Sequence, residues 1–309
     1  TNGYNVLVMG PWSHGGWARG NGDSLGFIGW GSATSLFYTD SIEAPFFNFY
    51  LKGEGSPPRA EAVMFQTGEN RWRFLDSWPP AGTVPAQLYL REGGKLDFSP
   101  PASPAMAYDE YVSDPAKPVP YTAQITHWYN PAFSVEDQRF AARRPDVLVY
   151  ESDELKEDMT VAGPIVPSLY VSTSGTDCDW VVKLIDVFPD TMRTPRERRR
   201  EVQLGGYQML VRGDVLRGKF RNSLAKPEPF VPGEMTKIEF TLNDVFHTFK
   251  RGHRIMVQIQ STWFPKIDRN PGTSVDIFQA KESDFRKTTQ RIYRSASAAS
   301  SLKVQLLKE

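Results

Sequence analysis

From Ala62 onward the chain is cut by Gly, Pro, Asn and Asp into short β-rich runs, and helical periodicity all but vanishes. The runs are Ala62–Gln66, Gln87–Leu90, Val147–Tyr150, Leu169–Val171, Trp180–Val187, Gln208–Val211, Thr236–Thr241, Arg254–Gln260 and Leu302–Leu307. Strands this short cannot each bury a face alone. Many of them with regular turns predict a β-sandwich or barrel. Glu92-Gly93-Gly94-Lys95, set between apolar runs, predicts a hairpin. The proline-rich stretch Ser99 to Asn130 reads as long loops crossing the sandwich, and Arg193 to Arg200 as a solvated basic loop.

The first 58 residues follow a different pattern. Tyr4-Asn5-Val6-Leu7-Val8-Met9 is apolar, too short for a helix and stopped by Gly10-Pro11, which predicts a buried strand ending in a tight turn. A central strand needs neighbours on both sides, and nothing precedes this one, so the expectation is a chain cut inside a larger domain. Asp40 to Lys52 carries the strongest helix signal. Asp40 or Ser41 can cap, Pro45 sits in the first turn, and Ile42, Phe46, Phe49 and Tyr50 recur at helical spacing before Gly53. One face of that helix must be buried. Gly53 to Pro58 reads as a linker, giving an expected division into residues 1–58 and 59–309.

Charge and cysteine content narrow the function. The 36 Lys and Arg balance 36 Asp and Glu, so no global field draws the chain to nucleic acid or anionic lipid. Nucleic acid is therefore not an expected partner. The longest apolar runs are strand-sized, far below the roughly 20 residues that span a bilayer, so no membrane helix is expected. Cys178 is the single cysteine, which excludes an internal disulfide and a thiolate metal site, and leaves the compartment open.

The chemistry concentrates at Gly10-Pro11-Trp12-Ser13-His14-Gly15-Gly16. A histidine on the turn leaving a core strand is held by a rigid sheet while its ring faces a cleft, which is where a general base belongs. This segment resembles the catalytic-histidine segment of the cocaine esterase/X-Pro dipeptidyl-peptidase family of α/β-hydrolases. Ala44-Pro45-Phe46-Phe47-Asn48-Phe49-Tyr50-Leu51-Lys52-Gly53 resembles that family's last hydrolase helix. Asp137 to Phe140 with Arg144 to Leu148, Ser172 to Val187 and Arg217 to Arg221 extend the match. Trp263-Phe264-Pro265 with Asp268 to Pro271, and Thr289 to Tyr293, point to the α-amino-acid ester hydrolase and glutaryl-cephalosporin acylase branch.

The resemblance implies a mainly β chain: a galactose-binding-like jelly-roll β-sandwich preceded by the last strand and helix of an α/β-hydrolase domain. It implies His14 as the triad base, with the nucleophilic serine, the triad aspartate, an oxyanion tyrosine and a carboxylate cluster all upstream of Thr1. The implied partners are the N-terminal hydrolase domain of the same polypeptide and a small ester or amide substrate, with homo-oligomer assembly also open. The implied chemistry is acyl-enzyme hydrolysis without metal or organic cofactor, of α-amino-acid esters or β-lactam side-chain amides, with X-Pro dipeptide release second. An exported, periplasmic or secreted parent is favoured over a cytoplasmic one, and the chain alone is expected to be inactive. The rival class is a non-catalytic carbohydrate-binding or assembly module, which would display a solvent-facing row of Trp or Tyr on one sheet.

Several other groups invite a role. Gly22-Asp23-Ser24-Leu25-Gly26 spells Gly-x-Ser-x-Gly, and Asp244-Val245-Phe246-His247 supplies Asp-x-x-His. Gly22 follows no buried strand, so no strained elbow lifts Ser24, and Asp244 fits a capping or turn role. His127, His247 and His253 lack metal spacing and read as structural. Arg212-Gly213-Asp214 reads as a turn beside a strand. Asp177, Asp179 and Asp186 suit strand-end hydrogen bonding better than a cation. Trp128, Tyr129, Trp263 and Phe264 suit core or interface packing better than an acyl pocket, and no substrate-binding residue is assigned.

Overall fold

The computed structural model describes residues 5–56, 59–196 and 200–308. Strand Leu7–Met9 pairs parallel with Ala62–Gln66, and that strand pairs antiparallel with Arg71–Leu75. This three-stranded sheet therefore joins segments on both sides of the Gly53 to Pro58 linker, of which Pro57 and Pro58 lie outside the described residues. The first strand is not buried, contrary to its apolar sequence. Leu7 and Met9 are 43% and 47% exposed, because among the described residues only one edge of the strand has a neighbour.

The helix begins earlier than its sequence signal. Helical backbone runs without a break from Thr34 to Lys52, and Gly53 ends it with φ of 73°. Asp40 and Ser41 lie inside it rather than capping it. Pro45 is accommodated where the helix widens to i→i+5 turns over Thr39–Glu43, consistent with a proline that removes one N–H from the i→i+4 ladder. Of its expected apolar face, Ile42 is buried and Phe46 half-buried, while Phe49 and Tyr50 are exposed, as are the adjoining Phe47 and Leu51.

The rest is a β-sandwich. One sheet runs Gln208–Arg217, Asp179–Val187, Arg254–Gln260 and Leu148–Glu151. The other runs Thr83–Arg91, Ser301–Leu307, Val166–Thr173, Thr288–Ser295 and Tyr108–Ser113. Lys95–Asp97 bridges them at one edge, and the expected hairpin turn at Glu92–Gly94 delivers it. The strand Tyr108–Ser113 lies inside a stretch that reads as loop, and the Arg193 to Arg200 loop includes 197–199, outside the described residues.

Strand Asp179–Val187 is buried along its whole length. Its alternating period sends Trp180, Val182 and Leu184 into the main core with Leu88, Val257 and Leu302. Val181, Ile185 and Val187 face the opposite way and meet Tyr121, Phe133 and Trp263. The stretch that crosses the sandwich is thus a third layer, and it makes this strand central in two directions.

The two sheets meet at Gly68 in the turn between Ala62–Gln66 and Arg71–Leu75. Gly68 has φ of 84°, and a Cβ there would lie 2.0 Å from the Thr248 carbonyl oxygen. Only glycine meets both conditions. Gly68→Ala should lower unfolding stability by about 2 kcal/mol or more, read as a reduced urea midpoint with unchanged slope.

Candidate active site

His14 sits on the turn after Leu7–Met9, where the Gly16 N–H donates to the Ser13 carbonyl at 2.8 Å. The turn is fastened to the first turn of the helix. Trp12 Nε1 donates to Thr34 Oγ1 at 2.8 Å, the Thr34 hydroxyl donates to the Gly22 carbonyl, and Ser35 Oγ donates to the Gly16 carbonyl at 3.1 Å. The Trp12 ring lies edge-on to Tyr38 at 5.4 Å and tilted against Trp72 at 5.6 Å. Thr34 and Ser35 therefore spend their hydroxyls on distant carbonyls, which fixes the turn in place and explains why the helix starts before its apparent cap.

The His14 ring itself is exposed. Trp17 meets it edge-on at 6.4 Å, and among the described residues no hydrogen bond or ion pair engages either ring nitrogen. A rigid backbone thus presents a free imidazole at the end of a strand whose outer side is open. A cavity of about 520 Å³ lies behind the turn, walled by Met9, Trp12, Trp30, Val135, Arg212 and His247.

Ser24 and His247 are not a pair. Ser24 is in a short hairpin with Ile28–Gly29, and its hydroxyl donates to Asp23 at 3.1 Å. Asp244 accepts from Trp78 Nε1 at 2.6 Å. His247 is buried and turned to Asp186 instead, with Nε2 at 3.2 Å from Oδ2 and Nδ1 at 2.8 Å from Thr67 Oγ1. His253 Nδ1 reaches the other Asp186 oxygen at 2.8 Å. Burial would raise the Asp186 carboxyl, but the two imidazoles outweigh it and hold it below the usual carboxylate range. This convergence of Asp186, His247 and His253 was not legible, since 61 and 67 residues separate the partners and only strand register joins them. His127 is exposed on its loop.

The remaining acids serve packing. Asp179 receives Arg217 through Nε and Nη2, each at 3.0 Å, and Asn270 Nδ2 at 2.8 Å. Asp177 Oδ1 accepts the backbone N–H groups of Cys178 and Lys219, each at 2.9 Å. Arg212-Gly213-Asp214 is not a turn: it lies within strand Gln208–Arg217, and a Cβ on Gly213 would come within 3.2 Å of Lys183 Cγ and of the Trp263 ring. Among the described residues no group of three or more His, Cys, Asp or Glu could hold a metal ion.

The fold is that of a jelly-roll β-sandwich following the last strand and helix of an α/β-hydrolase domain. Residues 55–303 match the X-Pro dipeptidyl-peptidase C-terminal non-catalytic domain, and the chain belongs to that family. Cocaine esterase from Rhodococcus sp. (strain MB1 Bresler) is 29% identical over 314 residues, covering 98% of this chain and 51% of that protein. Among solved structures, an aminopeptidase from a marine-sediment Thaumarchaeota archaeon superposes with a TM-score of 0.91 at 40% identity. An α-amino acid ester hydrolase gives the same TM-score at 38% identity. Each structure covers 98% of this chain and is itself half covered. The chain therefore spans about half the length of these relatives, and His14 lies before the residues that the domain family matches.

Beneath the crossing layer, Lys183 is wholly buried, donating from Nζ to Gln138 Oε1 at 2.9 Å. Burial pulls its ammonium down to about 7, with Glu136 only partly opposing. From about pH 7 to 10.5 the unfolded chain holds a proton that the folded one does not, so stability rises with pH there. The limiting slope is about 1.4 kcal/mol per pH unit. Lys183→Met should flatten the stability profile across that window in urea titrations; a retained slope would place the titration elsewhere.

Proposed function

We propose that the chain is the C-terminal half of a serine hydrolase, in which His14 is the general base for a serine carried by the preceding half. The observation that carries this is the pinned turn: the hydrogen bonds from Trp12 to Thr34 and from Ser35 to Gly16 hold the segment around an imidazole whose ring nitrogens have no hydrogen-bond or ion-pair partner among the described residues. A base that must accept a proton from a serine and return it to a leaving group needs a fixed backbone and an unoccupied ring nitrogen.

The uncovered apolar surface supports the larger assembly. Leu7 and Met9 on the strand, and Phe47, Tyr50 and Leu51 on the helix, are each more than 40% exposed. Apolar surface of this kind marks an interface. The preceding half of the polypeptide, carrying the remaining strands of the sheet, would pair the free edge of Leu7–Met9 and cover the helix. On this view residues 1–58 close the hydrolase domain and 59–309 form the jelly roll, with the shared three-stranded sheet as the joint.

The names of the similar structures narrow the substrate. An aminopeptidase and an α-amino acid ester hydrolase both act beside an acyl carbonyl that carries a free α-amino group. The proposed reaction is hydrolysis of α-amino acyl esters or amides through an acyl-enzyme, with no metal or organic cofactor required of this half. The domain family's name favours a second substrate class, Xaa-Pro peptides. A sugar-binding module is less well supported: the exposed Trp128 and Tyr129 lie on a loop, and among the described residues no sheet face carries a row of exposed Trp or Tyr.

In the full-length protein, His14→Ala should lower kcat for an α-amino acid p-nitrophenyl ester by about a thousandfold or more, with KM little changed. Ser24→Ala should leave turnover intact. Thr34→Val, which removes the anchor of Trp12, should lower kcat by about tenfold, again with KM little changed. These 309 residues alone should not hydrolyse the ester at all. Activity of the purified piece that Ser24→Ala abolishes would overturn the assignment.

A further inference from the structure

Three aromatic rings enclose a cation on the face of the sandwich away from the main core. The Lys266 ammonium lies 4.5 Å from the Phe133 ring centroid, 5.6 Å from that of Trp263 and 5.7 Å from that of Tyr129. The walls come from two separate places: Tyr129 and Phe133 from the crossing segment that runs into the helical turn Pro131–Val135, and Trp263 from the turn after Arg254–Gln260. They are fixed without help from the lysine. Phe133 and Trp263 are buried and meet edge-to-face at 5.8 Å. Tyr129 stacks on Tyr121 with the planes 7° apart, and the Tyr121 hydroxyl accepts the Asn130 N–H at 2.9 Å.

The occupant, by contrast, is loosely committed. Lys266 is exposed, sits on a turn closed by the Ile267 N–H to the Trp263 carbonyl, and among the described residues pairs with no carboxylate. Ring faces attract a cation through their quadrupole, and a primary ammonium must shed tightly held water to reach them. A methylated ammonium holds its water less tightly and offers more apolar surface to the same three rings. Tyr129, 63% exposed, leaves the box open on the solvent side.

We propose that Tyr129, Phe133 and Trp263 form a binding site for an alkylammonium group, and that Lys266 is an internal occupant that an external ligand must displace. This is independent of the hydrolytic reading and of His14. Self-occupancy lowers the apparent affinity by the fraction of time the lysine fills the box, so removing the lysine should strengthen binding.

The test is titration of the full-length protein with choline, read by ligand-observed NMR, for wild type, Lys266→Ser and Lys266→Ser/Tyr129→Ala. Both substituted positions are exposed, and thermal unfolding verifies that the fold is kept. Choline should bind Lys266→Ser about tenfold more tightly than wild type. Adding Tyr129→Ala should remove about tenfold again. The uncharged isostere 3,3-dimethylbutan-1-ol should bind at least tenfold more weakly than choline to Lys266→Ser. Equal binding of choline and the alcohol would mean a plain apolar pocket. An affinity unmoved by Lys266→Ser, or by Tyr129→Ala, would equally overturn the site.

Discussion

Strand Asp179–Val187 can be buried on both faces only because a third layer covers what would otherwise be the outer side of its sheet. That single requirement organises much of the molecule. The segment from Val119 to Val147 must cross the sandwich to supply Tyr121, Phe133 and Val135, and in crossing it seals Lys183 beneath Gln138. The same crossing brings Val135 to the wall of the cavity behind the His14 turn and Tyr129 and Phe133 to Lys266.

The joint between the small sheet and the sandwich is equally specific. Thr67 and Gly68 leave Ala62–Gln66 and settle onto strand Asp244–Phe249, where Thr67 meets His247 and His247 meets Asp186. A half-buried hydroxyl, two buried imidazoles and a buried carboxylate thereby tie the sheet that begins at Leu7 to the centre of the sandwich. Both Asp186 oxygens and both His247 ring nitrogens have partners in that chain, as a buried polar network requires. The His14 turn consequently has a firm base on this side, through Trp12 against Trp72 and Phe37 stacked on Trp72.

How far the sequence foretold this depends on how local each cause is. Gly10-Pro11 stops the first strand and Gly53 stops the helix, and both were legible because Gly and Pro act on their own backbone. The hairpin at Glu92–Gly94 was legible for the same reason. The helix start was not, because Thr34 and Ser35 are recruited by Gly22 and Gly16, far along the chain. Tyr108–Ser113 escaped notice because its inward residues include Asp109 and Ser113, and its partner Thr288–Ser295 is distant in sequence. Arg212-Gly213-Asp214 reads as a turn locally, yet the glycine is there to clear Lys183 and Trp263 within a long strand. His14 stands out in the sequence as a candidate base through its motif, whereas the grouping of Tyr129, Phe133 and Trp263 about Lys266 needs two distant segments brought together and shows in the sequence only as isolated aromatics.

The role of His14 is tested most directly by labelling the full-length protein with a fluorophosphonate, which reacts with a serine only when a base activates it. The label should fall on one serine preceding Thr1, and His14→Ala should slow labelling by about a thousandfold while the thermal unfolding profile is unchanged. A label found within these 309 residues, or a labelling rate indifferent to His14, would contradict the assignment.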